Sequence, residues 1–400
     1  MPAEPGNGPG STDRASILVV TSSYPSVRAP YNGVFVAEQA RALRERGHDV
    51  SVLAPRVFAD DRRKGVDERV VVHRFPFLSG QRLLGEYDGT PVIRMMTYLI
   101  SGAFTARQLV RSLRPRVVHA HWIVPTGLVA AIGIPRRTPL VLTAHGTDVR
   151  LAAEGSPLIR RLAALALRRA DRIIAVSEAL KTRLVDDLAV NASKVQVVSM
   201  GVDDALFRSR GRQLARRDLD LPDDAPIALF VGGLLSDKGI RQLVEAWDSI
   251  HDSQPNARLL LVGRGPLEGE LREWIASRST NDVTLLGPVP HHALPHLMDA
   301  ADVLVLPTLS EGLGMVLLEA GAMGLPVVAS DVGGCREAAS SSDRNILVPP
   351  GDVIALSGAV AQALARPAPD VRASTLGEQG RRFTQAAVLD TLEAIYSALR

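Results

Sequence analysis

Two carboxylates in the last third of the chain are candidates for ligand binding. Glu311 lies in a loop with two glycines, and the loop leads into the apolar segment Met315–Met323, where Glu319 is the only charged residue. A helix that is apolar on every face is buried, and a buried carboxylate is unstable without a partner. Glu319 is therefore predicted to meet a hydroxyl, a cation or backbone amides, beside a helix start that can bind an anion. An ion pair with Arg336 that stabilises the fold is the alternative.

Two basic side chains follow short apolar runs elsewhere. In FVGGLLSDKG, Gly232 and Gly233 lead from such a run to Lys238. Glycines allow a backbone to approach a ligand closely, and a lysine near a helix start suits a phosphate. An ordinary tight turn with a surface lysine is the alternative. His145 follows the run LVLTA and precedes a glycine, and a structural role and a ligand-binding role are both open for it.

Several patterns that could bind cofactors or metals are incomplete. The run Gly263–Gly269 approximates a dinucleotide fingerprint, but its spacing is one residue too long and Pro266 interrupts it. Asp218 and Asp220 match the Asp-x-Asp of metal-dependent transferases, but they lie in a polar segment and not after a strand. No carboxylate pattern accompanies the histidines that could bind zinc, so structural roles are favoured for them. They are His119, His121, His291, His292 and His296.

The composition excludes several classes of protein. Hydrophobic residues make up 46% and charged residues 22% of the 400 residues, which is typical of a folded globular protein. A net charge of +3 and an aromatic content of 4% argue against nucleic acid as a partner. The single cysteine, Cys335, excludes a disulfide framework and a zinc site built from cysteines.

Short β-branched runs alternate with amphipathic segments and predict an α/β fold of two doubly wound domains. The runs lack a two-residue alternation, as do strands that are buried on both faces of a parallel sheet. The first series lies at 17–22, 50–55, 70–75, 117–122, 140–146, 172–177 and 195–201. The second series lies at 227–233, 258–265, 283–289, 303–309, 326–334 and 345–351. The charged segment 203–226 between them is predicted to be a connection with one short helix.

No segment has the features of a targeting or membrane-spanning element. Residues 1–15 are rich in proline and glycine, lack an apolar signal core, and are predicted to form a disordered tail. The longest apolar runs, 122–135 and 95–106, are shorter than the roughly 20 residues of a membrane helix. The sequence therefore predicts a cytoplasmic protein. Peripheral association with the inner face of the membrane remains open.

The apolar runs and the loops after them resemble successive blocks of glycosyltransferase family 4. These blocks are VFVAEQARALRERGHDVSVLAP, VVHAHWIVPTGL, LVLTAHGTD, RIIAVSEAL, VVSMGVD, FVGGLLSDKG, LLLVGRGP and EGLGMVLLEAGAMGLPVVASDVGG. They cover residues 16–352, and the most specific is the Glu-x7-Glu pair of Glu311 and Glu319, followed by GLPVV and GG. The opening SSYPSVRAPYNGVFVAEQ, with HAHWIVPTGL and HGTD, is similar to bacterial members that build surface or capsular polysaccharides.

This resemblance implies a GT-B fold, in which two Rossmann-like domains face a central cleft. It implies retaining transfer of a sugar from a UDP- or GDP-sugar to a hydroxyl acceptor, with no metal or other cofactor. Residues 16–203 would form the acceptor-binding domain and residues 204–385 the nucleotide-sugar-binding domain. Residues 386–400 would form a helix that crosses back to the first domain.

The resemblance also implies roles for individual residues. Glu319 would hold the donor ribose, Glu311 the sugar hydroxyls and Lys238 the diphosphate, while His145 would lie near the transferred sugar. His145, Lys238 and Glu311 would thus be the catalytic residues. Backbone amides would complete the diphosphate site, and Gly263 would border the base. The full donor-binding set is Gly33, Gly232, Gly233, Lys238, Gly263, Val289, Glu311, Gly312, Leu313, Gly314, Met315 and Glu319.

One position departs from the family pattern. Many relatives carry arginine where this chain has Gly233, so a second cation at the diphosphate is missing; Arg28, Arg264 and Arg336 are candidates to replace it. The alternatives to a transferase are a GT-B epimerase or hydrolase that uses the same cleft, and a non-catalytic protein that binds the nucleotide sugar.

The segment Ser156–Ala170 raises the question of a lipid-linked acceptor. Arg160, Arg161, Arg168 and Arg169 share one half of the predicted helix, and apolar residues occupy the other. This basic amphipathic pattern suits an anionic lipid surface that carries such an acceptor. A core-facing helix with a solvated basic side is the alternative. The apolar residues are Ile159, Leu162, Ala163, Ala166 and Leu167.

Overall fold

The computed structural model describes residues 14–84, 92–339, 342–366, 369–376 and 380–399. Within this part of the chain, two sheets are each flanked by helices, which confirms the predicted α/β class. Of the predicted tail, residues 1–13 lie outside the described residues. Ala15 is buried, and its N–H donates to His48 Nδ1 at 3.2 Å, so this residue belongs to the fold and not to the tail.

The first sheet defines the first domain. Its strands are β1 (Ser16–Val20), β2 (Asp49–Arg56), β3 (Lys64–Asp67), β4 (Val70–Pro76), β5 (Val117–His121), β6 (Leu140–Ala144), β7 (Arg172–Ala175) and β8 (Val195–Val197). Their order is β3-β4-β2-β1-β5-β6-β7-β8, and all pairs except β3 with β4 are parallel. Every residue of β5 and β6 is buried, which explains the missing alternation in these strands.

The edge strand β3 is absent from the strands predicted by sequence. Its residues KGVD contain one apolar side chain, so no apolar run marks it. It forms an antiparallel hairpin with β4 through Glu68 and Arg69, both of which have positive φ. Asp67 on β3 accepts hydrogen bonds from Arg41 and Tyr24, at 2.8 Å in each case. Polar contacts of this kind leave no pattern in the local sequence.

The second sheet defines the second domain and is parallel throughout. Its strands are β9 (Ile227–Val231), β10 (Arg258–Val262), β11 (Val283–Gly287), β12 (Val303–Leu306), β13 (Val327–Ser330) and β14 (Ile346–Val348), in the order β11-β10-β9-β12-β13-β14. In both sheets, ligand-binding loops are expected at the carboxyl ends of the strands.

Helices cover both sheets. Those of the first domain are α1 (Val34–Glu45), α2 (Val92–Leu113), α3 (Leu128–Gly133), α4 (Thr147–Glu154), α5 (Pro157–Arg169) and α6 (Glu178–Asp186). Next come α7 (Arg212–Asp218), α8 (Ile240–Ser253), α9 (Glu268–Ser277), α10 (Leu294–Ala300), α11 (Met315–Ala322), α12 (Cys335–Ala339), α13 (Val353–Leu364) and α14 (Gln385–Ala398). No helix among the described residues combines the length and apolarity needed to cross a membrane.

The connection between the domains contains α7, the one short helix predicted for it. Its Arg216 is fully buried, although it belongs to a charged segment of the sequence. The guanidinium pairs with Asp302 at 2.8 Å and donates to the carbonyls of Ala300, Pro222, Asp223 and Ala225. A buried charge needs this degree of pairing, and here it fixes the connection against β12.

Helix α14 packs against the first domain. The Tyr396 hydroxyl lies 2.7 Å from His119 Nδ1, and His48 Nε2 lies 3.0 Å from Glu393 Oε1. Arg46 also pairs with Glu393, at 3.1 Å. His119 is buried on β5 and therefore has a structural role, as predicted.

Helix α5 turns its apolar side into the protein. Ala163, Ala166 and Leu167 are buried, while Arg160 and Arg168 are exposed. The helix therefore has the arrangement of the core-facing alternative, and its basic side faces solvent.

Candidate active site between the two domains

The backbones of the two domains touch beyond the carboxyl ends of β6 and β12. Gly146 has a φ of 118°, and a Cβ atom there would lie 2.9 Å from the Gly312 Cα atom. A Cβ atom on Gly312 would overlap the His145 carbonyl oxygen. The Ser177 hydroxyl donates to the Gly312 carbonyl at 2.7 Å. Both glycines are therefore required for this close approach.

A cavity of about 520 Å³ lies between the domains, because residues of both line it. Gly33 lies between two lining residues, Asn32 and Val34, and begins α1 with a φ of 69°. The predicted donor-binding residues that line the cavity are Gly232, Gly233, Gly263, Val289, Met315 and Glu319. The first domain contributes Ser23, Tyr31, Asn32, Val34, Phe35 and Leu83.

The remaining predicted residues form a second group at the start of α11. Lys238 Nζ lies 2.7 Å from Glu311 Oε2, and the Gly312 N–H donates to Glu311 Oε1 at 3.1 Å. Leu313 is buried, and Gly314 begins α11 with positive φ and without a side-chain cap. Because Met315 and Glu319 of the same helix line the cavity, α11 joins the two groups.

The predicted cation and the predicted sugar-binding carboxylate are paired with each other. Burial disfavours the charged form of Lys238, but the charge and hydrogen bond of Glu311 outweigh this and raise the pKa of Lys238. The side chains remain about one-fifth exposed, at 24% and 18%. An ammonium group has three N–H donors, so Lys238 can bind a ligand oxygen while it keeps this ion pair.

Glu319 has a partner that the sequence analysis did not predict. Its Oε1 atom lies 2.8 Å from His291 Nε2, and Glu38 Oε1 of α1 lies 2.6 Å from His291 Nδ1. The alternative of an ion pair with Arg336 is wrong, because Arg336 pairs with Asp331 on the surface. Burial lowers the pKa of His291, but hydrogen bonds to the two carboxylates outweigh it and raise this pKa to about 10.

His291 is thus a residue of the candidate site, although a structural role was predicted for it from the sequence. Like His145, it follows a strand of a parallel sheet, here β11, and that position was the available signal. Because His292 is adjacent, the two histidines were considered as zinc ligands and not as residues of a binding cleft. Within the described residues, no group of three or more His, Cys, Asp or Glu side chains is arranged to hold a metal.

The partly buried His145 lies at the end of a row of stacked histidines, His119, His121 and His145. Its Nε2 atom lies 3.1 Å from His121 Nδ1, and its ring packs 4.5 Å from that of Trp122. Burial lowers the pKa of His145 to about 3, so the imidazole is neutral at neutral pH. Asp148 accepts the backbone N–H groups of His145 and Gly146, at 3.0 and 2.9 Å, and fixes the loop. A neutral His145 can exchange hydrogen bonds with a ligand but carries no charge.

One of the three candidate arginines lines the cavity. Arg264 does so, with its guanidinium 5.6 Å from the Tyr31 ring. Arg28 instead pairs with Asp60, and Arg336 is held by Asp331, so neither replaces the missing cation. Gly233 does not have positive φ, and a Cβ there would lie 3.2 Å from a Leu235 methyl group.

The Asp-x-Asp pattern lies away from the cleft. Asp218 ends α7, and its partly exposed carboxylate lies 3.5 Å from His296 Nε2. Asp220 follows in the turn after the helix, with positive φ. Neither residue lines the cavity between the domains.

Two α/β domains facing one cleft define the GT-B class of glycosyltransferases. The model of Glycosyltransferase Family 4 matches residues 33–206, and that of Glycosyl transferases group 1 matches residues 211–383. The chain is 31% identical to a putative teichuronic acid biosynthesis glycosyltransferase, TuaC of Bacillus subtilis, across 86% of this chain and 88% of TuaC. The chain therefore belongs to the family of glycosyltransferases that these two models describe.

Solved structures share the fold. A sucrose-phosphate synthase from Thermosynechococcus elongatus superposes with a TM-score of 0.76 at 24% identity, covering 96% of this chain and 99% of that one. HepE of Anabaena, determined in complex with UDP-glucose, superposes with a TM-score of 0.71 at 21% identity, covering 96% and 100%. Both comparisons confirm the GT-B architecture.

We predict that Gly312→Ala lowers the rate of glycosyl transfer about a hundredfold, since a small misplacement of reacting groups has effects of this size. The added Cβ would overlap the His145 carbonyl and force the two domains apart. Steady-state rates with a donor and acceptor that the wild type uses provide the measurement. Gly358→Ala on α13 is the control, because a Cβ there meets no atom within 4 Å. Equal rates for both variants would contradict the prediction.

Proposed function

We propose that this protein is a retaining glycosyltransferase that moves a sugar from a UDP- or GDP-sugar to a hydroxyl acceptor in glycan biosynthesis. The observation that carries the proposal is the arrangement around α11. The Lys238–Glu311 pair lies at its start, and Glu319, one turn further on, lines a cavity between the domains. A cation–carboxylate pair at the start of this helix and a second carboxylate one turn along it support the binding of a diphosphate, a sugar and a ribose.

Several relatives support a nucleotide-sugar donor and a glycan product. HepE was solved with UDP-glucose, and starch synthase IV of Arabidopsis thaliana with ADP and acarbose. TuaC is named for teichuronic acid biosynthesis, and a glycogen synthase of Mycobacterium tuberculosis is 28% identical over 91% of this chain. By this analogy, the product is a glycan or glycoconjugate.

In the proposed reaction, the leaving nucleoside diphosphate gains negative charge as the bond from the sugar C1 atom to the phosphate oxygen breaks. Lys238 and the backbone amides at the start of α11 would stabilise this charge, since oriented donors act at developing charges without reorganisation. Glu311 would accept hydroxyl groups of the sugar while it orients Lys238. Arg264 also lines the cavity and would supply a further positive charge.

Retention would follow from attack on the face that the leaving group occupies. The acceptor oxygen would form its bond to C1 as the bond to the phosphate oxygen breaks, and that phosphate oxygen would take the acceptor proton. This route needs no second catalytic carboxylate of the glycosidase type. The neutral His145 imidazole would hydrogen-bond a sugar hydroxyl, and the first domain would bind the acceptor.

A non-catalytic nucleotide-sugar-binding protein is the second candidate, because this chain has Gly233 where many relatives have an arginine. Tight binding of UDP or GDP with no turnover would favour it. A GT-B epimerase or hydrolase would instead consume the donor without any acceptor. Donor consumption that depends on an acceptor distinguishes the transferase from both.

Lys238→Ala is predicted to lower kcat roughly a hundredfold to a thousandfold, the usual effect of losing one donor at a developing oxyanion. The affinity for the nucleoside should change far less, because Glu319 remains. Steady-state kinetics give kcat, and calorimetric titration with uridine or guanosine monophosphate gives the affinity. Lys181→Ala on α6 is the control. Near-normal kcat for Lys238→Ala would show that the diphosphate binds elsewhere.

Glu319→Gln is predicted to raise the Kd for the nucleoside diphosphate at least about tenfold, since hydrogen bonds to a charged group contribute roughly 1.5–3 kcal/mol. The fold should remain intact because the side chains have the same size. Titration calorimetry with UDP and GDP measures the change, and Glu273→Gln on the exposed side of α9 is the matched control. An unchanged Kd would remove Glu319 from the ribose site.

We further propose that the acceptor is lipid-linked and that the first domain contacts an anionic membrane through α2 and through the basic side of α5. Large apolar side chains on one side of α2 are more than half exposed. Residues 92–116 contain five arginines and no acidic residue. Apolar insertion together with basic charge is the combination that binds anionic lipid surfaces. The exposed apolar side chains are Val92, Ile93, Met96, Ile100 and Phe104.

The protein is predicted to float with vesicles that contain anionic lipid at low salt, and to lose this binding in the double variant Ile100→Glu/Phe104→Glu. Carboxylates at these positions would oppose both apolar insertion and attraction to the lipid headgroups. Ile354→Glu is the control, because Ile354 is 85% exposed on α13 of the other domain. Absence of flotation for the wild type would reject membrane contact.

A further inference from the structure

A chain of three charged groups crosses the cleft between the domains. Glu38 belongs to α1 of the first domain, while His291 follows β11 and Glu319 lies on α11 of the second. The two ring nitrogens of His291 lie 2.6 Å from Glu38 Oε1 and 2.8 Å from Glu319 Oε1. The imidazole thus joins a carboxylate of each domain.

The chemistry of the three groups requires a protonated ring. Ionised carboxylates can only accept hydrogen bonds, so both ring nitrogens must donate, and both carry protons only in the imidazolium form. The bridge is therefore two charge-assisted hydrogen bonds, which are shorter and stronger than neutral ones. The raised pKa of His291 has the same origin.

The surroundings hold the ring in place. The His291 side chain is 20% exposed, and its ring packs 5.1 Å from that of Phe207, which is buried in the connection between the domains. Other contacts also cross the cleft, including Arg150 with Asp237 at 3.4 Å. The imidazole bridge differs from them because it ends on the carboxylate proposed for the ribose.

Glu319 keeps one oxygen for a ligand. Its Oε1 atom is bound to His291, whereas its Oε2 atom has no hydrogen-bond partner among the described residues. The carboxylate lines the cavity although only 9% of its side chain is exposed. A carboxylate that is held at one oxygen presents the other in a fixed direction, and such preorganisation increases affinity.

We propose that His291 is a positioning residue for the donor nucleoside: it orients Glu319 and links it to Glu38, so that nucleoside binding is coupled to closure of the two domains. This inference rests on the proposed function, in which Glu319 accepts the ribose hydroxyls. It predicts that nucleotide affinity depends on Glu38, a residue of the other domain that does not line the cavity.

A double-mutant cycle tests the coupling. Titration calorimetry with UDP and GDP should give a Kd about tenfold higher for His291→Ala, which corresponds to one charge-assisted hydrogen bond. The double variant His291→Ala/Glu319→Gln should bind no more weakly than Glu319→Gln alone, because residues that act through one another are not additive. Additive losses would overturn the proposal.

Two further measurements separate positioning from a structural role. Inorganic pyrophosphate lacks ribose, so its affinity should be the same for the wild type and His291→Ala; an equal loss for pyrophosphate would overturn the proposal. Glu38→Ala should also weaken UDP and GDP binding, by about threefold, while Glu45→Ala on the exposed side of α1 should not. If Glu38→Ala binds as the wild type does, the link between the domains is wrong.

The outcomes distinguish a failure of this proposal from a failure of the proposed function on which it rests. If Glu319→Gln leaves UDP and GDP binding unchanged, the ribose site itself is wrong. If Glu319→Gln weakens binding and His291→Ala does not, the ribose site stands and the positioning role fails. His291→Gln, which retains an amide donor toward Glu319, should recover part of the lost affinity.

Discussion

The whole site depends on the approach of two backbones at Gly146 and Gly312. The first domain reaches this point through the loop after β6 and the second through the loop after β12, and neither glycine has room for a Cβ atom. The contact sets His145, at the end of β6, against the loop that contains Glu311. The parallel pairing of β6 and β12 with their neighbours serves this geometry, because parallel strands bring their carboxyl ends to one edge of a sheet.

Charges along the cleft are neutralised locally before any ligand binds. Lys238 is paired with Glu311, and His291 with both Glu38 and Glu319. Buried ions require partners of this kind, and here the protein itself supplies them. A nucleoside diphosphate would add to these pairs without replacing them, because an ammonium has further donors and each carboxylate oxygen has further lone pairs. In the proposed function, the cleft would thus be preorganised for the donor.

Sequence reasoning reached the features that depend on local pattern. The apolar runs predicted the strands, and the lone carboxylate on an apolar helix identified Glu319 as a residue with a partner. The identity of that partner could not be predicted, since His291 is 28 residues away and its own second partner, Glu38, lies in the other domain. The same limit applies to β3, which is held by polar contacts, and to Arg216, whose distant partners Ala300 and Asp302 are 84 and 86 residues away. Long-range pairing of polar groups leaves no periodicity in the sequence.

A crystal structure of the protein with UDP or GDP would test the proposed donor site without relying on kinetics. Density for the nucleotide is expected in the cavity between the domains, with ribose hydroxyls on Glu319 and the diphosphate between Lys238 and the amides of residues 312–315. His291 should remain bonded to Glu319 and Glu38 in that complex. A diphosphate bound away from Lys238, or a ribose that does not touch Glu319, would contradict the account.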